Sequence, residues 1–312
     1  MPPSLAPPAL EPPAGLPAVA PPWTLSASSW IFPHWTSPSH ISSQRSASCS
    51  AAASSASSLA QRQGLDAGSY APREVLYLGA EADVFKGGLG GWIIYRYTSS
   101  PVGPYDELIH VAGSFASAET GLTTLRITNI YVSTDVSVWN GRRNWNIPKH
   151  RAVFCFDDDT SSSSSAGSGG ATTVRISHPH HAASPFFAAR LAPRRWSPSL
   201  PVRPWMLPTL ALLGPPLLTG AYESEGAKQV VVQSQPEAAW RISQPTFSGS
   251  MRLAAAEPML DGAFGDGESF AKLQRTWCSF GFYFPQVTVT FPLALEVGPG
   301  ARKAEQEGGK TK

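Results

Sequence analysis

The densest run of reactive side chains in the sequence is Trp139 to Arg151, WNGRRNWNIPKHR. Within it Lys149 directly follows Pro148, with Ile147 and two tryptophans close by. A lysine on a rigid, apolar stretch is a candidate for attack on a carbonyl carbon. An ordinary lysine, with a pKa of ~10.4, is protonated at pH 7 and has no lone pair for that attack. Burial or a neighbouring cation favours the neutral amine. Reaching neutrality from there costs about 4–5 kcal/mol, at about 1.36 kcal/mol per pH unit. Arg142 and Arg143 are the neighbouring cations. On composition alone a plainer reading outweighs this one: Lys149 is a surface lysine in a turn.

Other reactive groups are less organised. Asp157 to Asp159 and His178-Pro179-His180-His181 contain metal-type ligands. Both flank a low-complexity segment in which such runs are usually solvated, so no metal site is predicted. The glycines of Gly87 to Gly91 are not followed by Gly-Lys-Ser/Thr, which leaves a phosphate loop unsupported and a turn into a strand preferred. No Ser/His/Asp set suggests a nucleophilic hydroxyl. Trp139 and Trp145 read as core filling ahead of pocket lining.

Two motifs taken together resemble the acetoacetate decarboxylase family, and its divergent fungal-type branch most closely. The first is GPYDELI, in which Gly103, Tyr105 and Glu107 match a glycine-aromatic-x-Glu pattern. The second is NGRRNWNIPKH, in which Gly141, Arg142, Pro148 and Lys149 match Gly-Arg, five residues, Pro-Lys. Weaker echoes are Pro22 to Leu25, Gly87 to Gly90 and Ser184 to Phe187. The strong resemblance covers about Gly87 to Phe156. It implies a mainly β, α+β fold, a curved or barrel-like antiparallel sheet with short helices. It implies cofactor-independent decarboxylation of a β-keto acid: Lys149 forms the Schiff base, Glu107 handles a proton or hydrogen bond near the imine, and Arg142 supports the pocket. It also implies a homo-oligomer.

The sequence departs from the family pattern in three places. His150 stands where bacterial members carry a second lysine. The position of another pocket glutamate falls at or near Trp92. No arginine near the N-terminus matches the family's carboxylate-binding one. Alternate residues of a strand share a face, so a pocket-facing Trp92 would bring Ile94 and Arg96 with it. Arg96 then becomes the candidate for gripping a substrate carboxylate in its fork. Trp92, Arg96, Arg142 and His150 are thus the candidate substrate-binding residues. Aromatic bulk near Lys149 suggests a substrate larger than acetoacetate. Two other readings stay open: aldol or dehydration chemistry through the same imine, and a non-catalytic pocket that binds an apolar acid.

The elements that must position these residues are mostly strands. WIIYRY (Trp92 to Tyr97), Glu107 to Val111, LRITNIYV (Leu125 to Val132, with Leu125, Ile127 and Tyr131 on one face), Arg151 to Phe156, Val174 to Ile176, Lys228 to Gln233 and QVTVTF (Gln286 to Phe291) all read as β, and Leu293 to Val297 continues the last after Pro292. A short helix is predicted from Ser133–Asp135, fading at Asn140-Gly141. Order is expected from about Tyr70. Residues 1–22 form a Pro/Ala-rich tail, 23–297 the domain, with 26–69 doubtful and 157–170 a flexible serine-rich insert, and 298–312 a charged tail.

Composition sets the outer bounds. The 312 residues carry a net charge of +2, too near balance for an electrostatic nucleic-acid binder. Three cysteines, Cys49, Cys155 and Cys278, build no disulfide framework and are expected as free thiols. Thirty prolines and 27 glycines predict a loop-rich fold. No membrane span is expected, because prolines interrupt the best candidate, Trp205 to Leu218. The proline-rich start does not read as a signal peptide, so a cytoplasmic setting is expected.

Overall fold

The computed structural model describes residues 15–38, 60, 63–72, 74, 78–158, 170–206, 210–217, 220–222, 230–232, 239–274 and 279–298. The long strands β1 (Trp23–Thr36), β2 (Val84–Ser99), β3 (Tyr105–Ala116) and β4 (Thr123–Val132) lie side by side in antiparallel register. Helix α1 (Leu78–Glu81) precedes β2. Helix α2 (Asp135–Trp145) follows β4 and leads into β5 (Lys149–Arg151), which pairs parallel to β4. Beyond come β6 (Val153–Asp158), β7 (Thr172–Ser177), β8 (Pro185–Pro193), β9 (Leu200–Val202) and β10 (Leu212–Gly214). A two-stranded ladder of β11 (Gly220–Tyr222) and β12 (Val230–Val232) stands apart. The chain closes with β13 (Trp240–Ser243), β14 (Thr246–Pro258), β15 (Phe280–Phe291) and β16 (Leu295–Val297).

These strands form one 14-stranded sheet in the order β16-β13-β10-β4-β3-β2-β1-β15-β14-β8-β7-β6, with β5 beside β4 and β9 beside β14. The mainly β expectation holds. Two details of it are corrected: the sheet is open rather than closed into a barrel, and it is mixed, because β10 and β5 both run parallel to β4. The parallel β4–β5 pair follows from the chain path. α2 carries the chain back along the sheet, so β5 enters in the direction of β4.

The central strands are buried on both faces. One face packs Trp30, Phe32, Trp92, Phe187, Phe264 and Phe270; the other packs Trp23, Leu25, Tyr95, Tyr97, Ile130 and Trp145. Burial on both sides removes the polar-apolar alternation and leaves near-continuous apolar runs. The first strand begins at Trp23, well ahead of Tyr70: the serine-rich stretch of β1 is held between β2 and β15 by backbone pairing, and before it Pro17 and Val19 are hydrogen-bonded to Asn140 and Asn144 of α2. Two local expectations also change. Gly87 to Gly91 lies within β2, where the register with β3 shifts twice, instead of forming a turn ahead of it. In β4 the ladder pairs Asn129 with His110 and Ile127 with Val111, so one extra residue bulges between them. That bulge puts Ile127 in the same cluster as Ile130 and sends Tyr131 to the opposite face.

Helix α2 runs past Asn140-Gly141 to Trp145, because its buried side, including Val138, Trp139, Arg142 and Trp145, packs on the sheet. It ends where Asn146 adopts a left-handed conformation, φ 54° and ψ 36°, and returns its amide to the carbonyls of Gly141 and Arg142. Arg151 to Phe156 divides at Ala152 into β5 and β6. Cys155 is exposed and unpaired; Cys49, Cys278 and most of the doubtful segment and serine-rich insert lie outside the described residues. Among the described residues no helix is long and apolar enough to cross a membrane.

Candidate active site

The turn that follows α2 drops Lys149 into the first position of β5, opposite Ile130 of β4. Its side chain crosses under the helix, and the residue is 5% exposed, which overturns the surface-lysine reading. Gly141 makes that crossing possible. A Cβ on Gly141 would stand 2.6 Å from Cδ and 2.7 Å from Cε of Lys149, closer than carbon atoms approach. The glycine of the Gly-Arg motif therefore leaves space for the lysine stem.

Nζ of Lys149 reaches two groups. It donates to Oε2 of Glu107 on β3 at 2.6 Å and to Oγ of Ser137 in the first turn of α2 at 3.1 Å. Glu107 is 3% exposed and its second oxygen accepts from the Tyr97 hydroxyl at 3.0 Å. The Tyr105 ring lies 5.2 Å from Nζ. Burial, and after it the Glu107 carboxylate, pushes the Tyr97 and Tyr105 phenols well above their ordinary value, so both stay protonated donors. The surrounding wall is apolar: Trp23 and Leu25 from β1, Ile109 from β3, Ile127 and Ile130 from β4, and Trp145, Ile147 and Phe291. The cavity beside the pair is only about 20 Å³. A buried ion pair in so dry a setting is held by mutual attraction and its extra hydrogen bonds, since either charge alone would be costly there.

Behind Lys149 lies a second buried network. Arg142 donates from both terminal nitrogens to Glu74, at 2.7 and 3.2 Å, and from Nη1 to the main-chain oxygen of Lys149 at 3.4 Å. His150 points to the opposite face of β5 and meets the same carboxylate, Nε2 to Oε2 at 2.9 Å. Burial pushes the Glu74 carboxyl up, but Arg142 and His150 outweigh it and hold the group down to about 2. Burial, reinforced by Arg142 and His178 and opposed by Glu74, moves His150 below its ordinary value, so at pH 7 it is neutral and Nε2 carries the proton it donates. His150 instead lines a separate cavity of about 360 Å³ with Tyr131, Arg151 and His178.

The sequence-predicted residues therefore divide. Lys149 and Glu107 meet directly. Arg142 touches the Lys149 backbone and not its amine. Trp92 and Arg96 lie on the face of β2 turned away from Lys149 and Glu107. The alternation that groups 92, 94 and 96 is correct, but the register sets Tyr95 opposite Glu107 and Tyr97 opposite Tyr105. Trp92 is fully buried, stacked on Phe32 at 4.2 Å between ring centres. The Arg96 side chain is 43% exposed, 3.7 Å from Asp106, and its guanidinium covers the Phe156 ring at 4.0 Å. Position 92 does not neighbour the amine; Tyr95 and Tyr97 hold the strand positions beside Glu107. Tyr97, Ser137 and Glu74 were not singled out from sequence. The strand period could have found Tyr97 once its pairing was known, whereas nothing local marks Glu74.

Among the described residues, no group of three or more His, Cys, Asp or Glu side chains is placed to hold a metal ion. His178 instead contacts Ser269 Oγ at 2.9 Å, and Asp157 pairs with Arg175.

The chain backbone superposes on that of acetoacetate decarboxylase from Legionella pneumophila with a TM-score of 0.53, covering 94% of this chain and 93% of that one at 10% identity. The fold is of the acetoacetate decarboxylase type. An enduracididine biosynthesis enzyme, MppR, complexed with the condensation product of pyruvate and imidazole 4-carboxaldehyde, has a TM-score of 0.49 at 15% identity, over 90% of each chain. An acetoacetate decarboxylase-like enzyme from Sphingomonas wittichii RW1 has a TM-score of 0.48 at 11% identity, over 88% of this chain and 92% of that one. No family model matches the chain, and no curated protein matches it.

Proposed function

We propose that this acetoacetate decarboxylase-type chain is a lyase that decarboxylates a β-keto acid through an imine on Lys149. The observation that carries this reading is the Lys149–Glu107 contact of 2.6 Å inside an apolar pocket. Glu107 Oε2 is placed to take the ammonium proton, leaving the Nζ lone pair free. Nζ attacks the ketone carbon, and one amine proton passes to the former carbonyl oxygen. Glu107 returns its proton to that hydroxyl, which leaves as water and gives a cationic imine. The C–C bond to the carboxylate then breaks. Its electron pair moves into the new enamine double bond, the imine nitrogen becomes neutral, and carbon dioxide departs. A proton from solvent adds to the enamine carbon, and water releases the ketone and the amine. The apolar walls assist, because a desolvated carboxylate is raised in energy and the step removes its charge. The Tyr97 hydroxyl holds Glu107 in place for both transfers.

The same imine serves aldol or dehydration chemistry. That variant is favoured for uncharged carbonyl substrates, because no second cation lines the pocket among the described residues. Reductive trapping tests both. The purified chain is incubated with acetoacetate, a longer β-keto acid or a neutral aryl ketone, reduced with borohydride, and mapped by peptide mass spectrometry. An adduct on Lys149 that Lys149→Ala lacks is expected. A folded protein that gives none with any carbonyl overturns the imine and leaves a binding pocket for an apolar acid.

A further inference from the structure

The β8–β9 connection and the short helical turn after β9 carry a surface that no part of this chemistry uses. Trp196 is 96% exposed, Trp205 83% and Phe280 65%, and Leu200, Met206 and Leu253 are each about half exposed. Large apolar side chains are normally exposed singly. Here Trp196, Leu253 and Phe280 line one open groove of about 820 Å³ together with Arg194 and Arg195. The groove is anchored, not loose: the Arg194 amide donates to the Leu253 carbonyl at 2.8 Å, and the Ser197 hydroxyl accepts from the Leu253 amide at 2.7 Å. β9 then pairs with β14 and carries the chain on to Arg203, Trp205 and Met206.

The charge of this region is weighted to one sign, with Glu257 the single carboxylate residue among the groove's described lining. From Thr160 to Tyr222 the sequence has five arginines and no aspartate or glutamate, in a chain whose net charge is only +2. Two of the five are compensated from elsewhere, Arg175 by Asp157 and Arg190 by Glu257 at 3.7 Å. Arg194 lies over the Phe280 ring at 5.2 Å, and Arg195 and Arg203 are exposed with no ion-pair partner among the described residues.

We propose that this face docks on an anionic lipid surface. Exposed tryptophan, phenylalanine and aliphatic tips suit the boundary between headgroups and acyl chains, and arginines beside them suit the phosphate and carboxylate headgroups. A second copy of the chain fits less well, because a two-fold contact through this patch would bring the uncompensated arginines toward their own copies. A nucleic acid would use the arginines and aromatic rings but gain little from Leu200, Met206 and Leu253. The groove shares no lining residue with the Lys149 pocket, so its test does not depend on the imine.

The full chain is sedimented with vesicles of pure phosphatidylcholine and with vesicles containing about 30 mol% phosphatidylserine. Binding to the second set alone is expected, weakened between about 0.15 and about 1 M salt. Arg195→Ala and Arg203→Ala are each expected to lower vesicle affinity about fivefold. Trp196→Ser with Trp205→Ser is expected to abolish it while leaving circular dichroism and the unfolding midpoint unchanged, since both side chains are exposed. No sedimentation with phosphatidylserine vesicles, or sedimentation that the tryptophan pair does not alter, overturns the proposal. A parent that self-associates, or binds a single-stranded oligonucleotide, through these residues without binding vesicles also overturns it.

Discussion

Acidification from about pH 7.5 to about pH 5 is expected to cost the fold about 4 kcal/mol through two histidines. His34 on β1 and His110 on β3 are both buried, with ring centres 6.0 Å apart and planes inclined by 18°. Neither ring nitrogen of His34 has a hydrogen-bond partner. Burial alone lowers His34 from 6.5 to about 4. Burial, then the neighbouring His34, lowers His110 from 6.5 to about 3 despite a backbone hydrogen bond with Ser69. In the unfolded chain both rings gain a proton as the pH falls through 6.5, while the native state stays neutral until about 4 and about 3. Protons therefore favour the unfolded chain over that window, and stability present above pH 6.5 is lost below it. At pH 5, some 1.5 pH units below the ordinary value, the loss is about 2 kcal/mol for each ring, at about 1.36 kcal/mol per pH unit. His150 shifts in the same direction and adds to the loss, whereas Glu74, held to about 2, is still ionised at pH 5. Urea unfolding followed by tryptophan fluorescence at the two pH values measures it. The double variant His34→Leu, His110→Leu replaces both rings with apolar groups and is expected to be flatter between the two pH values by about 4 kcal/mol. A double variant with the parent's full pH dependence would refute the assignment to these residues.

Three further outcomes are expected around the lysine. Glu107→Gln leaves the Lys149 ammonium buried without its counter-charge and should lower unfolding free energy by about 3–5 kcal/mol, read by denaturant titration. Replacing both partners, Lys149→Met with Glu107→Leu, should recover most of that loss, since an apolar pair suits the same walls. Gly141→Ala raises helix propensity by about 1 kcal/mol but sets a methyl 2.6 Å from Lys149 Cδ. Borohydride trapping should slow by at least about tenfold, while far-ultraviolet circular dichroism retains the helical signal. Glu74→Gln weakens the fork on Arg142 and the contact to His150; about 3 kcal/mol of stability should be lost, measured the same way.

The Lys149–Glu107 contact of the candidate site was legible because both residues sit in two short, rigid motifs. Glu107 and Lys149 were picked out by residue type and by the two patterns they belong to, and the fold brings them into contact. The β character of most elements was legible too, since runs such as WIIYRY and QVTVTF are rich in branched and aromatic residues. What failed did so for identifiable reasons. Trp92 and Arg96 were grouped correctly by the two-residue strand period, yet a period cannot say which face looks at Lys149. Ser26 to Thr36 reads as the start of a serine- and alanine-rich stretch, yet Trp30 and Phe32 within it belong to the core, and its serines are held by backbone pairing with β2 and β15, which leaves no trace in their side-chain type.

By itself the sequence determined the local chemistry: a lysine preset behind proline, a carboxylate on a strand, and apolar runs long enough to bury both. The tertiary structure alone decided which groups meet. Register chose Tyr95 and Tyr97 over Trp92 as neighbours of Glu107, and a glycine in the helix opened the path for the lysine stem. The Glu74 carboxylate, 68 residues from Arg142 and 76 from His150, closed the network behind it. Contacts of that range depend on strand pairing and chain direction, which emerge only when the whole sheet is assembled.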